Sequence, residues 1–106
     1  MKHLHRALCA AVILVTLAPP ARAAVRTEEV EYRQGETVLQ GYFAWDDGAK
    51  GPRPGVLVVH EWWGHNAHAR RQAERLAQAG YVAFALDMFG KGKLAAHPSE
   101  AQAFVM

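Results

Sequence analysis

The chain has 106 residues, enough for one small domain or for part of a larger one. Hydrophobic residues make up 51% and charged residues 21%, which excludes a disordered or collagen-like chain. The formal net charge is +2, yet residues 24–106 carry nine basic and ten acidic side chains, a balance that excludes a nucleic-acid-binding protein.

Residues 1–23 read as a secretory signal peptide. Lys2 and Arg6 form a positive start, residues 7–18 are an apolar stretch too short to span a bilayer as a helix, and Pro19-Pro20 ends it. Ala21-Arg22-Ala23 matches the small-x-small cleavage pattern, so a cut is expected after Ala23. The mature chain is then expected in the periplasm or secreted, with no stable membrane association. An uncleaved anchor is the rival reading. Cys9, the only cysteine, falls in this segment, so no disulfide and no thiolate metal site are expected in the mature chain.

Two strands are predicted over residues 30–32 and 37–45, joined by a hairpin turn at Gln34-Gly35-Glu36. Residues 46–54 form a loop by composition. The continuous apolar run at 55–59 is rich in β-branched residues and predicts a strand buried on both faces. Asn66 is the expected N-cap of a helix over 67–79, with Ala69, Ala73, Leu76 and Ala77 on one face and Arg70, Arg71 and Arg75 on a solvated one. Gly80 suits the position just past the helix end, and residues 81–86 form a second apolar strand. Strand, helix and strand make a βαβ unit with parallel strands. Gly90-Lys91-Gly92-Lys93 is a turn, lacking the length and the Ser/Thr of a phosphate-binding loop. Pro98 opens a further helix at its first position.

The residues with chemical promise join the first apolar strand to the helix: His60-Glu61-Trp62-Trp63-Gly64-His65-Asn66. In open α/β sheets, ligands bind outside the carboxyl ends of the strands. A loop there offers backbone N–H groups beside the positive end of a helix dipole. Trp62 and Trp63 either wall a pocket or seal the top of the core. His60, Glu61, His65 and His68 lie close together, but the spacing is not His-Glu-x-x-His and the Trp-Trp-Gly loop is not helical, so no metal site is expected.

The strand at 54–59 followed by His60-Glu61-Trp62-Trp63-Gly64-His65-Asn66, then Ala73 to Val82 and Asp87-Met88-Phe89-Gly90, resembles the dienelactone hydrolase family. The likeness runs over roughly residues 25–106, and Glu61 is its most specific residue. It implies an α/β-hydrolase fold: a β-hairpin, then a βαβ unit of a mostly parallel sheet. It implies that Glu61 is the carboxylate that gates the nucleophile and that the Trp62 N–H is one oxyanion-hole donor. Trp63 and His60 are expected to touch substrate. The family's nucleophile sits on a Gly-x-Cys/Ser-x-Gly elbow, followed by an Asp and a His. Residues 24–106 contain no such elbow, and the one serine, Ser99, lies in His97-Pro98-Ser99-Glu100-Ala101. Two departures stand out: residues 91–106 contain no arginine to match the family's substrate-carboxylate arginine, and His65 stands where the family commonly has an aliphatic residue.

Residues 24–106 are therefore expected to be the N-terminal part of a larger domain that lacks nucleophile, acid and base and is inactive alone. The whole is expected to hydrolyse small-molecule esters or lactones by acyl transfer to water, with neither cofactor nor metal. A related acyltransferase or peptidase on the same fold is one alternative. A non-catalytic exported binding module with a Trp-lined apolar pocket is another.

Overall fold

The computed structural model describes residues 24–106. The expected signal peptide, its cut after Ala23 and Cys9 lie outside the described residues. Six elements follow in chain order: β1 (Val25–Gln34), β2 (Thr37–Asp46), β3 (Gly55–Val58), α1 (Ala67–Gln78), β4 (Val82–Ala85) and α2 (Pro98–Val105). The strands form one sheet in the order β1-β2-β4-β3. β2 runs antiparallel to both β1 and β4, and β3 runs parallel to β4. The expected βαβ unit is thus present, inside a mixed sheet. Among the described residues no helix is long and apolar enough to cross a membrane.

β1 is far longer than its sequence foretold. It begins at Val25 rather than at residue 30 and pairs along its whole length with β2, from Val25 opposite Asp46 to Gln34 opposite Thr37. Arg26, Thr27, Glu28 and Glu29 are exposed and show no apolar alternation. Backbone pairing with β2 alone makes them strand. Their charges on an outer strand also discourage pairing with a foreign edge.

Asn66 caps α1, its Oδ1 accepting from the N–H groups of His68 (3.1 Å) and Ala69 (3.3 Å). Such a cap is worth about 1 kcal/mol. At the other end the Gly80 N–H donates to Ala77 O (3.0 Å) and the Tyr81 N–H to Leu76 O (3.1 Å), the double closure that requires a left-handed residue. Gly80 supplies it with φ +100°. Ala69, Ala73 and Ala77 face Ala44 of β2 and Ala83 and Ala85 of β4, and all six are buried. With only methyl groups between them, helix and sheet approach closely, and dispersion contacts between backbones replace large side chains. Val25, Tyr42, Val58 and Leu76 fill the periphery.

The opposite face carries Phe43, Leu57 and Phe84. The Phe84 ring lies 4.6 Å from Phe43 and 5.9 Å from Tyr32, centroid to centroid, and passes over Gly41. A Cβ at Gly41 would stand 2.2 Å from that ring. Leu57 is 67% exposed, so β3 is covered on one face and not on both as its apolar run predicts. The reason is architectural: among the described residues α1 packs on the sheet and α2 does not.

Candidate active site

The loop after β3 and the loop after β4 lie side by side at the carboxyl ends of these parallel strands. Four contacts lace them together. The Met88 N–H donates to Nε2 of His60 (3.1 Å), and Nδ1 of His65 meets Leu86 O (3.1 Å). The Ala95 N–H donates to Trp63 O (3.0 Å), and Gly64 forms an antiparallel bridge with Leu94. Gly64 has φ +100°, and a Cβ there would stand 2.7 Å from Lys93 O. Any other residue at this position meets both backbone strain and a backbone collision.

Glu61 to Gly64 form a tight turn, closed by the Gly64 N–H donating to Glu61 O at 3.1 Å. Nδ1 of His60 lies 2.6 Å from the same oxygen. Because Nε2 of His60 accepts from Met88, the neutral ring carries its proton on Nδ1 and donates it to Glu61 O. The ring also stands edge-on to Phe89 at 4.8 Å. His60, expected at the substrate, thus has both nitrogens occupied by backbone. The Trp62 and Trp63 rings meet edge to face at 5.3 Å, Trp62 exposed and Trp63 half-buried. Glu61 is exposed and lines a cleft of about 80 Å³ with Val59, His60, Asn66, His68 and Gln72. Among the described residues neither the Glu61 carboxylate nor the Trp62 N–H has a hydrogen-bond partner.

Asp87, two residues past β4, is the buried acid of this layer, 3% exposed. Its Oδ1 accepts from the N–H groups of Phe89 (2.9 Å) and Gly90 (3.0 Å), and its Oδ2 from that of Gln40 (3.1 Å). The Tyr32 hydroxyl both accepts from the Asp87 N–H and donates to the Asp87 carbonyl, each at 2.8 Å. One carboxylate therefore shapes the loop after β4 and ties it to β2. In the sequence Asp87 stands just past an apolar run and within a stretch that carries the family resemblance, with no role assigned to it.

Arg70 corrects an expectation. Far from lying on a solvated helix face, it donates from Nε to Nε2 of His65 (3.2 Å), pairs with Glu29 of β1 (2.6 Å) and stacks over the Tyr42 ring at 5.0 Å. Burial pushes His65 below the usual histidine range; the Arg70 cation adds to this, and the Leu86 carbonyl opposes it. His65 is thus a neutral link between Leu86 and Arg70. Among the described residues no group of three His, Cys, Asp or Glu side chains converges as a metal site would require.

Comparison with known proteins bears on this constellation. The profile of the dienelactone hydrolase family matches residues 39–106. Protein usf of Aquifex pyrophilus is 39% identical over 75 residues, covering 68% of this chain and 31% of that protein. The solved structure of m3DLH superposes with a TM-score of 0.71 at 39% identity, covering 76% of this chain and 33% of its own. P91, a dienelactone hydrolase-like promiscuous phosphotriesterase from metagenomic libraries, gives a TM-score of 0.71 at 40% identity, covering 77% of this chain and 34% of its own. The chain spans about a third of the length of these relatives. With the Glu61 turn at the carboxyl end of β3 and a family match that runs from Leu39 in β2 to Met106, the chain belongs to the dienelactone hydrolase family.

Proposed function

We propose that this chain contributes the gating carboxylate and one oxyanion-hole donor to an exported hydrolase of ester or lactone bonds. The observation that carries the reading is the Glu61–Gly64 turn at the end of parallel strand β3, with the Glu61 carboxylate and the Trp62 N–H both unpaired among the described residues. Attack on an ester carbonyl puts negative charge on its oxygen, and a fixed N–H aimed there stabilises that charge by ~3 kcal/mol. A carboxylate beside a nucleophile holds its proton or repels its developing charge. Trp63 and Trp62 furnish an apolar wall. Residues 24–106 hold no Gly-x-Cys/Ser-x-Gly elbow, so the reading requires residues beyond Met106 to bring nucleophile, acid and base. Acyl transfer of this kind uses no metal or organic cofactor. The export part of this reading rests on the sequence of residues 1–23 and is tested by mass spectrometry of the periplasmic fraction, with a mature N-terminus expected at Ala24.

The test is hydrolysis of p-nitrophenyl acetate, with a p-nitrophenyl phosphotriester as second substrate because P91 carries that activity in its name. Three proteins are compared: the 106-residue chain, the whole reading frame that carries it, and that frame with Glu61→Ala. The whole frame is expected to turn over the ester. The short chain should stay at the level of an inert protein, because removal of the nucleophile removes the covalent route. Glu61→Ala should change kcat and leave the unfolding midpoint in place. Clear turnover by the short chain, lost on changing Glu61 or His60, would instead mean a self-contained His/Glu site.

A further inference from the structure

The geometry points to His60 as the positioning residue that aims the Trp62 N–H, acting through the Glu61 carbonyl as an Nδ1-protonated, neutral imidazole. This rests on the reading of Trp62 as an oxyanion donor. The Glu61–Trp62 peptide is one rigid trans plane, so its carbonyl and its N–H point in opposite directions. Whatever holds the Glu61 oxygen also orients the Trp62 N–H. Two donors hold that oxygen: the Gly64 N–H from within the turn, and Nδ1–H of His60 from outside it, at 2.6 Å. The turn alone fixes the loop's shape. His60 fixes the turn to the rest of the molecule, because its other nitrogen accepts the Met88 N–H from the loop after β4 at 3.1 Å. Phe89, edge-on at 4.8 Å, fixes the ring plane.

The chain of contact therefore runs from Met88 through the imidazole to the Glu61 oxygen and across one peptide plane to the Trp62 N–H. Only a side chain with an acceptor and a donor about 2 Å apart on one rigid group can make both bonds. The Nδ1–H tautomer is required, since the Met88 N–H needs a lone pair on Nε2. A ring so occupied has no nitrogen left for substrate. His60 is then a residue that acts on the transition state only, through another group's placement.

The inference is tested with the whole reading frame, labelled with 15N-histidine. Long-range proton–nitrogen correlation above neutral pH should show His60 protonated on Nδ1 and bare on Nε2. The opposite tautomer overturns the inference, whatever the enzyme's activity. Kinetics supply the second arm. His60→Leu should lower kcat about 10²-fold with KM little changed, the loss expected for a misaimed oxyanion donor. His60→Gln, whose amide carries a donor and an acceptor at similar spacing, should restore most of that loss. A raised KM with kcat unchanged would assign His60 to substrate binding instead. A wild-type frame with no esterase activity would defeat the hydrolase reading and leave the tautomer result to decide the hydrogen-bond assignment.

Discussion

The α1–sheet interface and the layer of loops above β3 and β4 are held together by different means. The first is centred on six buried alanines, with the polar contacts Tyr42–Glu74 and Arg70–Glu29 only at its margin. The second has few buried apolar groups and is pinned by His60, His65, Asp87 and Tyr32, each bonded to backbone. Methyl contacts are weak individually and indifferent to direction, so they set how closely the layers lie. Hydrogen bonds to backbone are directional, so they set where single atoms lie. An oxyanion donor needs the second kind of precision, and the candidate site stands where the molecule supplies it.

The largest expected effect breaks the pinned layer. Asp87→Ala removes the acceptor of three backbone N–H groups, two of them within the loop after β4. Leaving such donors without partners costs about 1–3 kcal/mol each where they stay buried, so a loss of about 3 kcal/mol in urea unfolding is expected. A loss below 1 kcal/mol would mean that the loops hold themselves. Next comes the alanine contact. Ala73 is fully buried, and Ala73→Leu should push α1 off the sheet at a cost of about 1–3 kcal/mol while the loop bonds survive. If that variant instead destroys the loop layer first, as read by the His60 nitrogen shifts, the two regions are not separable.

The smallest effect sharpens the contrast through pH. His65 sits below its usual pKa of 6.5, first because of burial. Between that lowered value and 6.5 the unfolded chain binds more protons than the folded one. Its contribution is therefore present above pH 6.5 and is lost as the pH falls through the folded pKa. Stability measured on both sides of pH 6.5 should fall less on acidification in His65→Gln than in the parent. Equal falls would show that His65 titrates alike in the folded and unfolded chain.

Much of this architecture was legible in the residues. Asn66, the alanines at helical spacing and Gly80 specify α1 locally, and their readings agree with the structure to within one residue at its end. The apolar runs around β3 and β4 announce parallel strands. What stayed hidden is whatever depends on a distant partner. Arg26 to Glu29 look like loop until β2 pairs with them. Arg70 looks solvated until Glu29, 41 positions away, and Tyr42 meet it. His60 shows nothing of Met88, 28 positions on. Glu61 was marked by resemblance to a family and by no physical pattern in the chain itself, because an exposed carboxylate in a loop is chemically unremarkable until a reacting group stands beside it.

The strand order has a consequence for how the chain is made. β1 and β2 are joined by a two-residue turn, so their pairing is local and needs no residue beyond Asp46, and a two-stranded hairpin alone is marginal in water. The partner for the other edge of β2 is β4, with Tyr42 opposite Ala85, some 40 residues later. At ~5–20 residues per second of synthesis, that edge waits roughly 2–8 s before β4 arrives to fill the gap between β2 and β3. During that interval Phe43 and the backbone groups of β2 are open to any extended chain nearby. A chaperone that binds extended apolar segments has its clearest opportunity there, and a pause in translation between β2 and β4 would lengthen it.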